Sequence, residues 1–69
     1  MTTTDIKNKI NELADMIRLL RNEMTIVIET GDDDQYIAAY GTRRLLRAGL
    51  DYLEKLLDTV ELAEKILEA

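Results

Sequence analysis

Arg18, Arg21, Arg43, Arg44 and Arg47 are the only arginines in this 69-residue chain, and they form two groups at helical spacing. Guanidinium groups present rigid forks of N–H donors that match phosphate and carboxylate oxygens. Brought together, they would make an anion site, with a nucleotide among its candidate ligands. Tyr36 and Tyr40, one helical turn apart, add a flat ring and a hydroxyl to the same stretch. This is a chemistry of holding rather than of turnover. Cys, His and Ser are all absent, which removes the usual nucleophiles and the usual zinc, haem and iron–sulfur ligands. No Gly-rich phosphate loop precedes a helix. Carboxylates alone can move protons, but they need a concave pocket, which a chain this short offers only between subunits. A non-enzymatic protein without metal or cofactor is therefore expected.

The acidic residues fall into two groups. Asp32-Asp33-Asp34 lacks the alternate spacing, central Gly and terminal Glu of a calcium loop, and is expected to cap a helix. Asp51, Glu54, Asp58, Glu61, Glu64 and Glu68, interleaved with only Lys55 and Lys65, reads as the solvated side of a helix. The sharper alternative is an acidic surface that engages a basic protein or imitates nucleic acid. With 14 acidic and 9 basic residues the net charge is −5, which argues against wholesale binding to nucleic acid or an anionic membrane. Met1 to Asp5 has neither a basic nor an apolar leader region, and no run approaches the roughly 18 apolar residues that span a bilayer, so a cytoplasmic location is expected.

The elements that must position the arginines are helices. Ile6, Ile10, Leu13, Ile17, Leu20, Met24 and Val27 follow one another at alternating spacings of 4 and 3, the heptad seam of a helix facing a partner helix. The spacing predicts a first helix over about 5–30, with Thr4 or Asp5 as N-cap and Gly31 as a C-terminal residue of positive φ. A turn at 31–33 leads into a second helix, from about 33 or 34 to 68, whose seam runs through Leu46, Leu50, Leu53, Leu57, Val60 and Leu67. Gly41-Thr42 offers a C-cap followed by an N-cap, which would split off Asp34 to Tyr40 as a separate short helix. The fold class is all-α, an antiparallel helical hairpin in one domain.

A hairpin turning near position 32 brings together residues whose numbers add to about 64, by the equal rise of both helices. Arg21 then faces Arg43, and Arg18 faces Leu46 and Arg47. Arg43 falls on the seam itself and needs neutralising, either by Glu23, Glu29 and the turn aspartates, with Arg47–Asp51 as a further pair, or by a bound anion. The second helix outruns the first, so Val60, Leu62, Ile66 and Leu67 need another chain to cover them. Ile26 and Ile28, on different faces at the end of the first helix, need the same. A homo-oligomer, a dimer in its simplest form, with the layout of a four-helix bundle follows.

In size and layout the chain is similar to several bacterial and phage helical hairpins, among them the Rop-type RNA-binding dimer and the sporulation regulators related to Spo-zero-E. The latter family's Ser-Gln-x-Leu-Asp signature falls on Arg47-Ala48-Gly49-Leu50-Asp51, where only Leu50 and Asp51 agree, and no family is assigned. The expected function is a small regulatory or inhibitory interaction protein that presents a helix surface to a protein partner. The alternatives are an anion- or nucleotide-binding module using the five arginines with Tyr36 and Tyr40, and a Rop-like RNA-binding hairpin, which the net negative charge opposes.

Overall fold

The computed structural model describes residues 1–68, which form two α-helices, α1 (Thr3–Thr30) and α2 (Asp33–Glu68), packed antiparallel with no strand among the described residues. α1 starts two residues earlier than its apolar pattern. Thr2, not Thr4 or Asp5, is the N-cap: the Asp5 amide donates to Thr2 Oγ1 at 3.1 Å and the Thr2 amide donates to Asp5 Oδ2 at 3.0 Å. This reciprocal box satisfies two of the free donors of the first turn and needs an acid at the third helical position, which only Thr2 provides. These hydrogen bonds hold the Asp5 carboxyl below its usual value of 3.8.

Between the helices only Gly31 and Asp32 are non-helical. Gly31 does not adopt positive φ. Its backbone is extended (φ −83°, ψ 170°), and its N–H reaches the Val27 carbonyl at 2.7 Å. What requires glycine here is space, since a Cβ would sit 2.7 Å from both the Val27 oxygen and Gln35 Oε1. Asp32 caps α2 with a second reciprocal box, accepting from the Gln35 amide at 2.9 Å while its own amide donates to Gln35 Oε1 at 3.1 Å.

α2 is continuous through Gly41 and Gly49, and no break occurs. Thr42, offered as a new N-cap, instead donates its hydroxyl back to the Ala38 carbonyl at 2.8 Å, as a threonine inside a helix does. Gly41 has nothing within 4 Å of where a Cβ would be. Gly41→Ala should therefore raise stability by about 0.8–1 kcal/mol through helix propensity alone. An unchanged or lower midpoint in urea would show that Gly41 has a role the packing does not reveal.

The α2 seam runs Ala39, Arg43, Leu46, Leu50, Leu53, Leu57, Val60, Glu64, all buried or half-buried at strict heptad spacing. α1 is rotated by one row from its expected face. Its facing residues are Lys7, Ile10, Ala14, Ile17, Arg21, Met24 and Ile28, whereas Leu13 and Leu20 remain 49% and 42% exposed. The small Ala14 lies beside Leu50 and Leu53 at a cavity of about 60 Å³, so a slim row of α1 meets a row of leucines on α2.

Contacting pairs are Ile17 with Gly49, Thr25 with Arg43, and Lys7 with Glu64, whose numbers all add to more than 64. The reason is geometric. Helical side chains lean toward their own N-terminus, so in an antiparallel pair both partners reach back to lower numbers. α2 is consequently engaged up to Glu64, further than the backbone register alone allowed.

Lys7 Nζ lies 2.8 Å from Glu64 Oε1, a buried oxygen with no other partner, and the pair ties the far end of the hairpin. Its hydrogen bond to Glu64 raises the Lys7 pKa above 10.5. A raised folded-state value stabilises the fold at lower pH and loses its effect as the pH climbs through that value. The advantage of wild type over Lys7→Met in thermal melts should thus be constant through neutral pH and shrink above pH 10.5. A pH-independent difference would assign the contribution to the lysine stem.

Candidate functional site: an arginine cleft and an apolar face

The rotation of α1 gives the rod two unlike faces. On one, Arg21, Asn22 and Thr25 of α1 and Tyr40, Arg43, Arg44 and Arg47 of α2 line an open cleft of about 570 Å³ near the turn. Arg43 is the best fixed of these: its Nη1 donates to Thr25 Oγ1 at 3.4 Å, and its guanidinium lies over the Tyr40 ring, 5.7 Å from the centroid. Tyr40 in turn stacks on Tyr36, with centroids 6.1 Å apart and planes 20° from parallel. The stack holds Arg43 by its face and leaves donors for another partner.

Among the described residues no carboxylate lines the cleft. Ion pairs among the described residues are confined to Lys7–Glu64, Lys9–Glu12 and Arg18–Asp15, so the expected neutralisation by Glu23, Glu29 or the turn aspartates does not occur, nor does the Arg47–Asp51 pair. The physical reason lies in the heptad positions: Glu23 is on the flank of α1 away from the cleft, and the turn aspartates are at the first turn of α2, where their charges suit the helix dipole.

Two of the seven expected site residues fall outside the cleft. Arg18 is paired to Asp15 at 3.0 Å and borders the small cavity beside Glu54, while Tyr36 supports Tyr40 without lining the opening. Conversely, Asn22 and Thr25 were not foreseen. Their only sequence signal is position, one turn after Arg18 and Arg21, and neutral polar side chains carry little weight in a pattern.

The opposite face is apolar. Ile6, Leu13 and Leu20 each precede a facing residue of α1 by four, Gly49 and Leu56 stand in the same relation on α2, and Val27 and Ala63 lie one heptad further along the same rows. Because the helices run in opposite directions, these rows share one side of the hairpin. Leu45, Tyr52 and Ile66 extend it outward and are each more than 60% exposed. No charged residue interrupts the α2 rows Thr42, Gly49, Leu56, Ala63 and Leu45, Tyr52, Thr59, Ile66.

The residues expected at an oligomer interface are divided. Ile28 and Val60 are half-buried within the hairpin, Ile26 and Leu62 point outward from the backs of their helices, and Ile66 and Leu67 lie exposed at the far end of α2. No helix is long and apolar enough to cross a membrane among the described residues. No protein-family model matches the chain, and neither a curated protein nor a solved structure shows significant similarity to it.

Proposed function

We propose that the chain is a non-enzymatic helical interaction protein that self-associates through its apolar face, in its simplest form as a two-fold dimer with the layout of a four-helix bundle. The dimer turns its charged faces outward to a protein partner. The observation that carries this is the apolar, exposed face built from Leu13, Leu20, Leu45, Tyr52 and Ile66. The hairpin as a whole also exposes more surface than a compact chain of its mass would. A compact monomer of 7.9 kDa is expected to expose about 4,400 Å². This hairpin exposes 5506 Å². The excess of about 1,100 Å² per chain is what one partner of a standard interface buries, roughly 800 Å² or more.

Among the described residues only Ile10, Ala14, Ala39 and Leu50 are buried within the hairpin, two of them alanines, so one chain has little core of its own. The rod measures 55 × 15 × 14 Å, the proportions of half a bundle. After the apolar faces meet, the outward surface of α2 away from the turn carries Glu54, Asp58, Glu61 and Glu68, which suits a basic partner. The set of groups in the cleft, cations with neutral donors and a phenol, favours binding over proton transfer and supports a non-enzymatic role. Sedimentation equilibrium across a micromolar concentration range tests the reading. A single dimeric species supports it, and a fully helical monomer would remove it.

A further inference from the structure

We infer that the cleft at the turn end binds a small molecule carrying two or more adjacent phosphate groups. Arg21, Arg43, Arg44 and Arg47 converge on one concavity whose volume, about 570 Å³, falls in the range of small-ligand sites. All four lack a carboxylate partner among the described residues, and Arg21 and Arg43 are half-buried, so their repulsion is incompletely screened by water. A ligand with several negative charges removes that repulsion, and each guanidinium offers a fork matched to phosphate oxygens. Asn22 and Thr25 add neutral polar groups on the α1 wall. Arg43 is already oriented by the Tyr40 ring and Thr25, which lowers its own ordering cost on binding.

Four clustered cations suit a diphosphate or triphosphate better than a single phosphate or carboxylate, which could satisfy only one or two forks. A long nucleic acid fits less well. Beyond the cleft the same face carries Glu54 and Glu61, so a strand lying along the rod would leave the arginines and meet carboxylates. The cleft is complete within one hairpin and faces away from the apolar side, so it stands whether or not the chain self-associates.

The test is isothermal titration of the full chain with inorganic triphosphate, pyrophosphate, phosphate and ATP, at fixed ionic strength with sodium chloride as the balancing salt. Affinity should rise from phosphate to pyrophosphate to triphosphate. Arg43→Gln and Arg47→Gln should each weaken triphosphate binding by about tenfold or more, as expected for loss of a charged hydrogen-bonding partner. Arg18→Gln, outside the cleft, should bind as wild type does. Equal binding of triphosphate and ATP assigns recognition to the phosphates alone, and tighter ATP binding adds a nucleoside contact; both support the site.

In ¹⁵N spectra of the wild-type protein, triphosphate should shift the Nε–H signals of Arg21, Arg43, Arg44 and Arg47 and spare that of Arg18, a readout that requires no variant to fold. No heat and no shift beyond the chloride control would overturn the inference. Equal weakening by Arg18→Gln would also overturn it, showing diffuse attraction only, as would binding of a single-stranded RNA oligomer without binding of triphosphate.

Discussion

Leu13→Asp combined with Leu20→Asp should convert the proposed helical dimer into a largely unfolded monomer at micromolar concentration. Both leucines lie on the apolar face, half exposed in the single hairpin. In the proposed dimer each would contribute about 0.7–1.5 kcal/mol as its remaining exposed half leaves water. Replacing them by aspartate removes that gain and adds the penalty of burying unpaired carboxylates, so association fails outright. Because the isolated hairpin buries only four side chains, folding should fail with it.

Asn8→Asp with Asn11→Asp adds the same charge to the polar side of the same helix and should leave both assembly and helicity intact. Sedimentation velocity and far-ultraviolet circular dichroism read the two outcomes together. If the leucine variant sediments like wild type, the apolar face is not the interface.

Leu50→Ala should be nearly as damaging. Leu50 is the one large α2 side chain that is buried, at the middle of the seam and beside Ile10 and Ala14 of α1. Truncating a buried leucine usually costs 2–5 kcal/mol, and a chain of this length has roughly 3–5 kcal/mol to lose. A cavity of about 60 Å³ already borders the site, so the neighbouring side chains have slack on one side only and cannot collapse fully into the gap. The expected result in chemical denaturation is a midpoint close to zero denaturant, with recovery in Leu50→Met, which keeps most of the volume. Equal losses in the alanine and methionine variants would place the requirement in the shape of leucine rather than in its volume.

How much of this was legible in the residues depended on how many rows competed. On α2 the apolar positions from Leu46 to Val60 define a single phase, and the structure keeps it. On α1 two adjacent rows qualify, one holding Ile6, Leu13, Leu20 and Val27 and the other holding Ala14 and Arg21. Hydropathy favours the first. Close packing against the leucines of α2 selects the second because Ala14 lets the helices approach, a preference that resides in the partner surface and not in the row itself.

The arginine cluster was legible as a neighbourhood, yet its membership was not. Counting rise along the two helices places Arg18 beside Arg47, whereas the backward lean of the side chains hands Arg18 to Asp15 and draws Asn22 and Thr25 to the cleft. At the turn, glycine was foreseen for its conformational range. It is needed instead because Gln35 folds back over it, a contact that no local pattern announces.

Gly31 is extended and no described residue has positive φ, so the reversal at Gly31 and Asp32 needs no left-handed backbone and is held by hydrogen bonds alone. The other end of the hairpin is closed by the Lys7–Glu64 pair. Two chains whose arms have swung apart can rebuild every inter-helix contact with each other, since the surfaces that meet are the same in both arrangements. An exchanged pair of that kind would be favoured by high chain concentration.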